Sequence, residues 1–471
     1  MYQKINLWLL FPFVAIACSC AIKNGMETTA TPQQQYNILF IAVDDLNDWT
    51  GFLGQYPQTL TPNMDKLAAQ GMAFEKAYCA APVCNPSRAA IMSGYRCATT
   101  GIYHNEDDVF SYPLIQQSLM LPQYFSKYGY QTMARGKIYH TPATGQHTWD
   151  VWSKTAGGYG NVKKEPGKMA NGIPVGEMPE NMDWGPTDLP FEETQDFLTA
   201  DWAAKQLADK HEKPFFLACG LFRPHLKWHV PQAFFDKFNP DLLQLPLVKE
   251  DDLNDVAEKK PMPTKEYLTI KKYGKEKEAL QAYLASINYA DACIGHLLDA
   301  LDKSKYRDNT IVVLWGDHGW HLGEKLRYKK FTLWDRAIRT SLLIKVPGMT
   351  PAGSRSGRTV SLLDLYPTLI DLCGLPPNEK NEGNSIVPLL KNPTTEWLHP
   401  ALTQMGKDRN SLRNERWRYL RYEDGGEELY DHQNDPNEWT NLAGMSEYKQ
   451  IKDALEKQLD DLLKKTKTVK K

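Results

Sequence analysis

Residues 36–43 (Tyr-Asn-Ile-Leu-Phe-Ile-Ala-Val) and residues 310–315 (Thr-Ile-Val-Val-Leu-Trp) carry no charge and no alternation of polar with apolar side chains. A strand of that kind needs cover on both faces, which places it inside a parallel sheet sandwiched by helices. The chain supplies the other layers. Residues 61–70, 116–127, 193–209, 275–303 and 361–372 have helical periodicity, and residues 72–78, 130–134, 214–219 and 341–346 are further short strands. Strands alternating with helices predict an α/β sandwich around one mostly parallel sheet. Residues 141–188, rich in Gly, Pro and Trp, read as an irregular insertion. With 471 residues the chain exceeds one small domain, and its pattern changes near Asn392. Residues 417–422 and 428–431 alternate as antiparallel strands around Gly425-Gly426, and a Lys-rich amphipathic helix follows. The expected division is a main domain over 36–391 and a smaller α+β subdomain over 392–471.

At the N-terminus Lys4 precedes an apolar stretch, residues 5–17, too short for a stable bilayer anchor. Small residues then lead to Cys18 and Cys20. Residues 1–20 therefore read as an export signal of the lipoprotein type, lipidated at Cys18 or Cys20, with a plain secretory signal as the alternative. Residues 21–35 read as a tether. The expected place is the periplasm or outer membrane of a bacterium, with membrane contact through a lipid anchor alone. The six later cysteines show no disulfide framework and suit small buried positions. A net charge of −2 gives no general attraction to nucleic acid, so none is expected as a partner, and any polyanion must be met by local basic clusters.

Both apolar strands end in carboxylates, Asp44-Asp45 and Asp317-His318. In a parallel sheet those ends share one edge, where ligands gather. Three carboxylates there repel one another unless a cation joins them, and their hard oxygens suit Ca²⁺ or Mg²⁺. Imidazole is a poorer ligand for Ca²⁺. Another segment stands out at Cys84-Asn85-Pro86-Ser87-Arg88, followed by a helix-compatible stretch to Gly94. Pro86 biases Asn85 toward extended backbone, which predicts Cys84 on a turn with the helix just after it. That helix would aim its N–H groups at an anion, and Arg88 adds a fixed charge. The alternatives are a thiolate nucleophile or a buried structural cysteine.

The Cys84–Arg88 run, closed by Ser93-Gly94, resembles the maturation and active-site signature of type I sulfatases, and the resemblance covers nearly the whole mature chain. It implies an alkaline-phosphatase-like sandwich with a C-terminal antiparallel subdomain. It implies that a separate maturation enzyme oxidises Cys84 to formylglycine, whose hydrate attacks a sulfate ester. It further implies metal ligation by Asp44, Asp45, Cys84, Asp317 and His318, with Ca²⁺ ahead of Mg²⁺. Gly136-Lys137-Ile138-Tyr139-His140 has two residues between Lys and His where many sulfatases have one. Together with His318, that spacing resembles the iduronate-2-sulfatase branch, and so does Arg223-Pro224-His225. The resemblance gives Lys137 and His140 contacts to formylglycine or sulfate. It makes His225 a sulfate contact or leaving-group acid, with His229 as rival. It makes Lys330 a sulfate-binding cation, with Lys329 as rival. The implied activity is hydrolysis of a sulfated oligosaccharide or polysaccharide, most specifically at a 2-O-sulfated uronic acid. The alternatives are a phosphonate or phosphodiester hydrolase of the same superfamily, or a glycan-binding lipoprotein in which Cys84 stays unconverted.

Overall fold

The computed structural model describes residues 35–141, 144–257 and 261–465; the export signal and nearly all of the tether read from the sequence lie outside them. A nine-stranded sheet forms the centre. Its order is Ser354–Ser361, Met72–Tyr78, Leu342–Lys345, Thr310–Gly316, Asn37–Val43, Phe215–Leu221, Gln131–Gly136 and Val151–Ser153, and a short strand Arg339–Thr340 also pairs with Met72–Tyr78. All pairings are parallel except those of Leu342–Lys345 and Arg339–Thr340. Alternate side chains of Asn37–Val43 enter separate cores, as a strand buried on both faces requires. Leu39, Ile41 and Val43 pack with residues of the helices Gln195–Ala208 and Glu276–Lys303. Ile38, Phe40 and Ala42 pack on the other side with residues of Leu365–Leu372.

Register sets up the functional edge. Val43 lies opposite both Leu221 and Gly316, and Gly136 lies opposite Gly220. The residues that leave these strands, Asp44, Phe222, Asp317 and Lys137, therefore emerge at one level. Glycine is required here: Gly136 has φ +87, and a Cβ on it would stand 2.0 Å from the Gly220 carbonyl oxygen. That close approach lets the Lys137 N–H donate to the same carbonyl at 2.9 Å.

The expected helix over 116–127 is instead two helices, Pro113–Gln116 and Leu121–Lys127. Pro122 lacks an N–H and fits only a first turn, so a new helix starts there. Asn85, expected to be extended, lies inside the helix Cys84–Ser93, which begins at Cys84 itself. Pro86 fits because donors of a first turn have no intrahelical partner to lose. The insertion is not wholly irregular, since Val151–Ser153 joins the sheet and Trp184–Thr187 pairs with Trp228–Pro231. The C-terminal antiparallel sheet has four strands, Ala401–Gln404, Asn410–Arg413, Trp417–Arg421 and Glu427–Asp431, where the sequence showed two. The helix Lys449–Lys465 covers it through Leu455 and Leu459, packed with Leu402, Leu412, Tyr419 and Leu429. Cys79, Cys84, Cys97, Cys219, Cys293 and Cys373 are all buried and unbridged.

Arg418 of that sheet is fully buried and paired with both Asp335 and Glu438. His432 Nε2 is 2.9 Å from Glu438 Oε1. These three acidic and imidazole groups converge as metal ligands would, but the guanidinium already sits between the two carboxylates. Burial pushes the Glu438 carboxyl up, and Arg418 and His432 outweigh it, holding it at about 2. Burial likewise opposes the ionisation of Asp335, yet Arg418 and His432 keep it well below the usual range. Carboxylates lowered on folding stabilise the protein above their unfolded pKa of about 4, and that contribution is lost as pH falls through about 2. The melting temperature is expected to drop across this window. Arg418→Met should lose roughly 3–5 kcal/mol at neutral pH and flatten the acid slope. Equal acid slopes in the two proteins would remove this network as the cause.

Candidate active site

The helix Cys84–Ser93 is buried over its entire length and carries the nucleophile candidate on its first residue. Its first turn is held by side-chain bonds. Ser87 Oγ donates to the Asp317 carbonyl at 2.6 Å, and Asn85 Nδ2 donates to the carbonyls of His104 at 3.0 Å and Asp107 at 2.8 Å. One turn on, Arg88 clamps three strand ends. Its Nη2 meets Asp44 Oδ1 at 3.1 Å, its Nε meets Asp317 Oδ2 at 2.9 Å, and its Nη1 donates to the carbonyls of Lys137 and Ile138.

Cys84 Sγ is 2.9 Å from Lys330 Nζ and 3.3 Å from His318 Nε2. Lys330 Nζ also meets Asp45 Oδ1 at 2.6 Å, and Lys137 Nζ pairs with the second oxygen of Asp44. Asp45 has φ +58, tolerable for aspartate, and its backbone is pinned on both sides. Its N–H donates to Asp317 Oδ1 at 3.0 Å, and Tyr283 donates to its carbonyl at 2.8 Å. His318 Nδ1 lies 3.0 Å from the Gly319 carbonyl, which turns Nε2 toward Asp45 Oδ1 at 3.4 Å and Asp317 Oδ2 at 3.7 Å.

The fold separates the sequence rivals. His225 Nε2 lies 3.9 Å from Asp45 Oδ2 and belongs to the cluster, whereas His229 Nε2 turns to Asp183 at 3.4 Å. Lys330 points inward, whereas Lys329 pairs with Glu266 at 2.7 Å. Positive φ at Lys329 (73°) and Phe331 (70°) produces this inward turn. Such backbone in non-glycine residues is strained and concentrates at functional sites. His140 lies within electrostatic reach of Lys137, Asp44, Arg88 and Lys330, and its buried Nδ1 has no hydrogen-bond partner among the described residues.

Three carboxylates face three cations. Burial opposes charge on Asp44, but Lys137, His225 and Arg88 hold its pKa well below the usual carboxylate range. Burial raises Asp45 despite Lys330, and Asp45 Oδ2 is buried without a hydrogen-bond partner among the described residues. Burial and Lys137 push His140 down to about 4; burial does the same to His225 against the pull of Asp45. Ligand atoms of Asp44, Asp45, Cys84 and His225 lie within 4.8 Å of one another, and so do those of Cys84, Asp317 and His318. An orphaned carboxylate oxygen amid oxygen-rich donors fits a hard divalent cation.

Sequence reasoning missed the residues that aim these groups. Ser87, Asn85 and Tyr283 act by hydrogen bonds. Phe222 and Trp320 present rings to Lys137 at 5.4 Å and Lys330 at 5.5 Å. Place in a motif could have signalled Asn85 and Ser87, and nearness to a strand end Phe222 and Trp320, whereas Tyr283, inside the helix Glu276–Lys303, carries no such signal.

Two family profiles match the chain, "Sulfatase" over residues 36–375 and "N-sulphoglucosamine sulphohydrolase, C-terminal" over residues 316–465. A sulfatase of Formosa agariphila is 35% identical, covering 96% of this chain and 91% of that protein. Mouse iduronate 2-sulfatase is 30% identical over 80% of this chain and 74% of its own length. Among solved structures, one described in complex with its substrate D-glucosamine-2-N,6-O-disulfate superposes with TM-score 0.73 at 23% identity, covering 92% and 98% of the two chains. The phosphonate monoester hydrolase of Agrobacterium radiobacter superposes with TM-score 0.75 at 21% identity, covering 91% and 95%. At such identities the two structures establish the fold, an alkaline-phosphatase-like sandwich.

Proposed function

The chain belongs to the type I sulfatase family, and from that premise we propose that it is an exported hydrolase of carbohydrate sulfate esters, acting through a formylglycine made from Cys84. The carrying observation is the setting of Cys84 Sγ: Lys330 at 2.9 Å, His318 at 3.3 Å, and a His225 ring nitrogen within 4.8 Å. A group at that position is backed by cations and flanked by a proton carrier. A 2-O-sulfated uronic acid of a polysaccharide is the proposed substrate, supported by the iduronate 2-sulfatase relative. Residues 1–20 support export, with the lipid anchor on Cys18 or Cys20.

A maturation enzyme, drawing on a two-electron oxidant such as dioxygen, converts the Cys84 CH2–SH group to an aldehyde with release of the sulfur as sulfide, and the aldehyde hydrates to two hydroxyls. One hydroxyl oxygen attacks the ester sulfur and forms an S–O bond, while the bond from sulfur to the sugar oxygen breaks. Lys137, Lys330 and Arg88 hold the sulfate and stabilise charge gathering on its oxygens. Asp317 takes the attacking hydroxyl's proton. His225 gives its proton to the departing sugar oxygen. It starts neutral, and the negative charge of a bound sulfate favours its protonation. His140, held neutral by burial and Lys137, removes the proton of the remaining hydroxyl. Sulfate is then expelled and the aldehyde returns. Asp44, Asp45, Asp317, His318 and the Cys84-derived group would hold a Ca²⁺ ion (Mg²⁺ fitting less well), which supplies Lewis-acid polarisation of the sulfate oxygens.

Sulfate release from defined sulfated saccharides, measured beside phosphonate monoester and phosphodiester turnover, tests the reading. Sulfate ester turnover is expected to dominate, and dominance of the phosphorus esters would replace the reading with the phosphohydrolase one. His225→Ala should lower kcat by about 10²–10⁴-fold. His229→Ala, removing only the Asp183 pair, should cost far less. The reverse order would reassign the acid.

A further inference from the structure

A cavity of about 440 Å³ lies beside the Cys84 turn, walled by Val83, Tyr103, Asn105, Glu106, Phe331 and Glu423 among others. Each part of its inner wall is tied to the reacting centre. Val83 caps the nucleophile's helix, and Asn105 Oδ1 accepts from the Asn85 N–H at 3.0 Å. Phe331 follows Lys330 directly. The outer wall comes from two turns of the C-terminal antiparallel sheet, which bring Lys407, Arg409 and Glu423. No residue of the reaction scheme lines the space, so the cavity is a neighbour of the sulfate site and distinct from it.

Phe331 is the informative residue. Its φ of +70 is an outlier for a bulky side chain. That backbone turns Lys330 inward, to 7% exposure, and leaves Phe331 47% exposed on the cavity wall. An aromatic face held outward one residue from a sulfate-binding lysine can stack on the C–H face of a pyranose. Glu106 and Glu423 offer acceptors for sugar hydroxyls, and Asn105 adds amide chemistry. The charges are mixed: Lys407 and Arg409 stand against Glu106 and Glu423. A wall so balanced does not select a second sulfate or a carboxylate. The volume falls in the lower part of the roughly 300–1,000 Å³ span of small-molecule sites.

We propose that this cavity is a subsite for an uncharged sugar ring joined to the sulfated one, with Phe331 as its stacking face and Glu106 and Glu423 as hydroxyl acceptors. It rests on the sulfatase reading and makes the enzyme one that recognises at least a disaccharide.

The test compares kcat/KM for a sulfated monosaccharide with that for the same sugar linked to a neutral ring, using matured full-length protein. The wild type is expected to favour the disaccharide by about tenfold or more, the scale of one good contact. Phe331→Leu and Glu423→Gln should each cut that preference several-fold, raising KM more than they lower kcat. Glu423 lies far along the chain from Lys330, so its variant keeps the test valid should Phe331→Leu disturb the lysine. Equal kcat/KM for both substrates in the wild type would overturn the proposal. So would variants that lower both substrates by one factor, or a preference confined to disaccharides with an anionic second ring. Failure of the wild type to release sulfate from either substrate would instead sink the sulfatase reading beneath it.

Discussion

Arg88→Ala is expected to abolish measurable turnover, lowering kcat by at least about 10²–10³-fold, the cost of removing one preorganised donor from a reacting anion. The effect is large because the guanidinium does two things at once. It bridges Asp44 and Asp317 at full burial, and it ties both to the backbone after Gly136. Its removal takes the guanidinium from buried Asp317 and leaves buried Asp44 to Lys137, which adds roughly 3–5 kcal/mol of destabilisation. The two effects are separable. Arg88→Lys restores a positive charge without the fork geometry, so it should recover part of the melting temperature and little of the kcat. Full activity in Arg88→Ala would detach Cys84 from any sulfate chemistry built on this site.

Removal of divalent cations is expected to have a comparable effect. Prolonged chelation followed by dialysis should lower activity by about 10²-fold or more, with Ca²⁺ restoring it better than Mg²⁺. Asp45 motivates the expectation: it is buried, its carboxyl is raised, and Oδ2 has no hydrogen-bond partner among the described residues. Lys137 and Lys330 now pair with carboxylates that a cation would share. Asp45→Asn should weaken the Ca²⁺ response more than Asp183→Asn, whose carboxylate faces His229 away from the cluster. Unchanged turnover in thoroughly chelated protein would refute the assignment.

Much of this is legible in the sequence, for physical reasons. Strands buried on both faces leave uncharged, largely apolar runs, so Asn37–Val43 and Thr310–Gly316 announced the centre of the sheet. Parallel pairing then brought Asp44, Asp45 and Asp317 to one edge although they are 272 residues apart. Less was legible where one residue has two uses. Pro86 reads as a turn signal, yet it is equally at home in a first helical turn, which is where it lies. His225 and His229 sit four residues apart, one in a turn and the other in the strand Trp228–Pro231, and only tertiary packing sends one to Asp45 and the other to Asp183. Lys329 and Lys330 were separated by backbone handedness, which no composition reveals. The strands Ala401–Gln404 and Asn410–Arg413 escaped notice because they are short and poor in β-branched residues.

The central claim is that Cys84 acts only after oxidation. Peptide mass spectrometry of the Cys84 segment, on preparations matured to different extents and assayed in parallel for sulfate release, tests it most directly. The expected result is an aldehyde at position 84 and turnover proportional to the converted fraction, with none from Cys84→Ala. Undiminished sulfate release from protein whose Cys84 is wholly an unmodified thiol would contradict it.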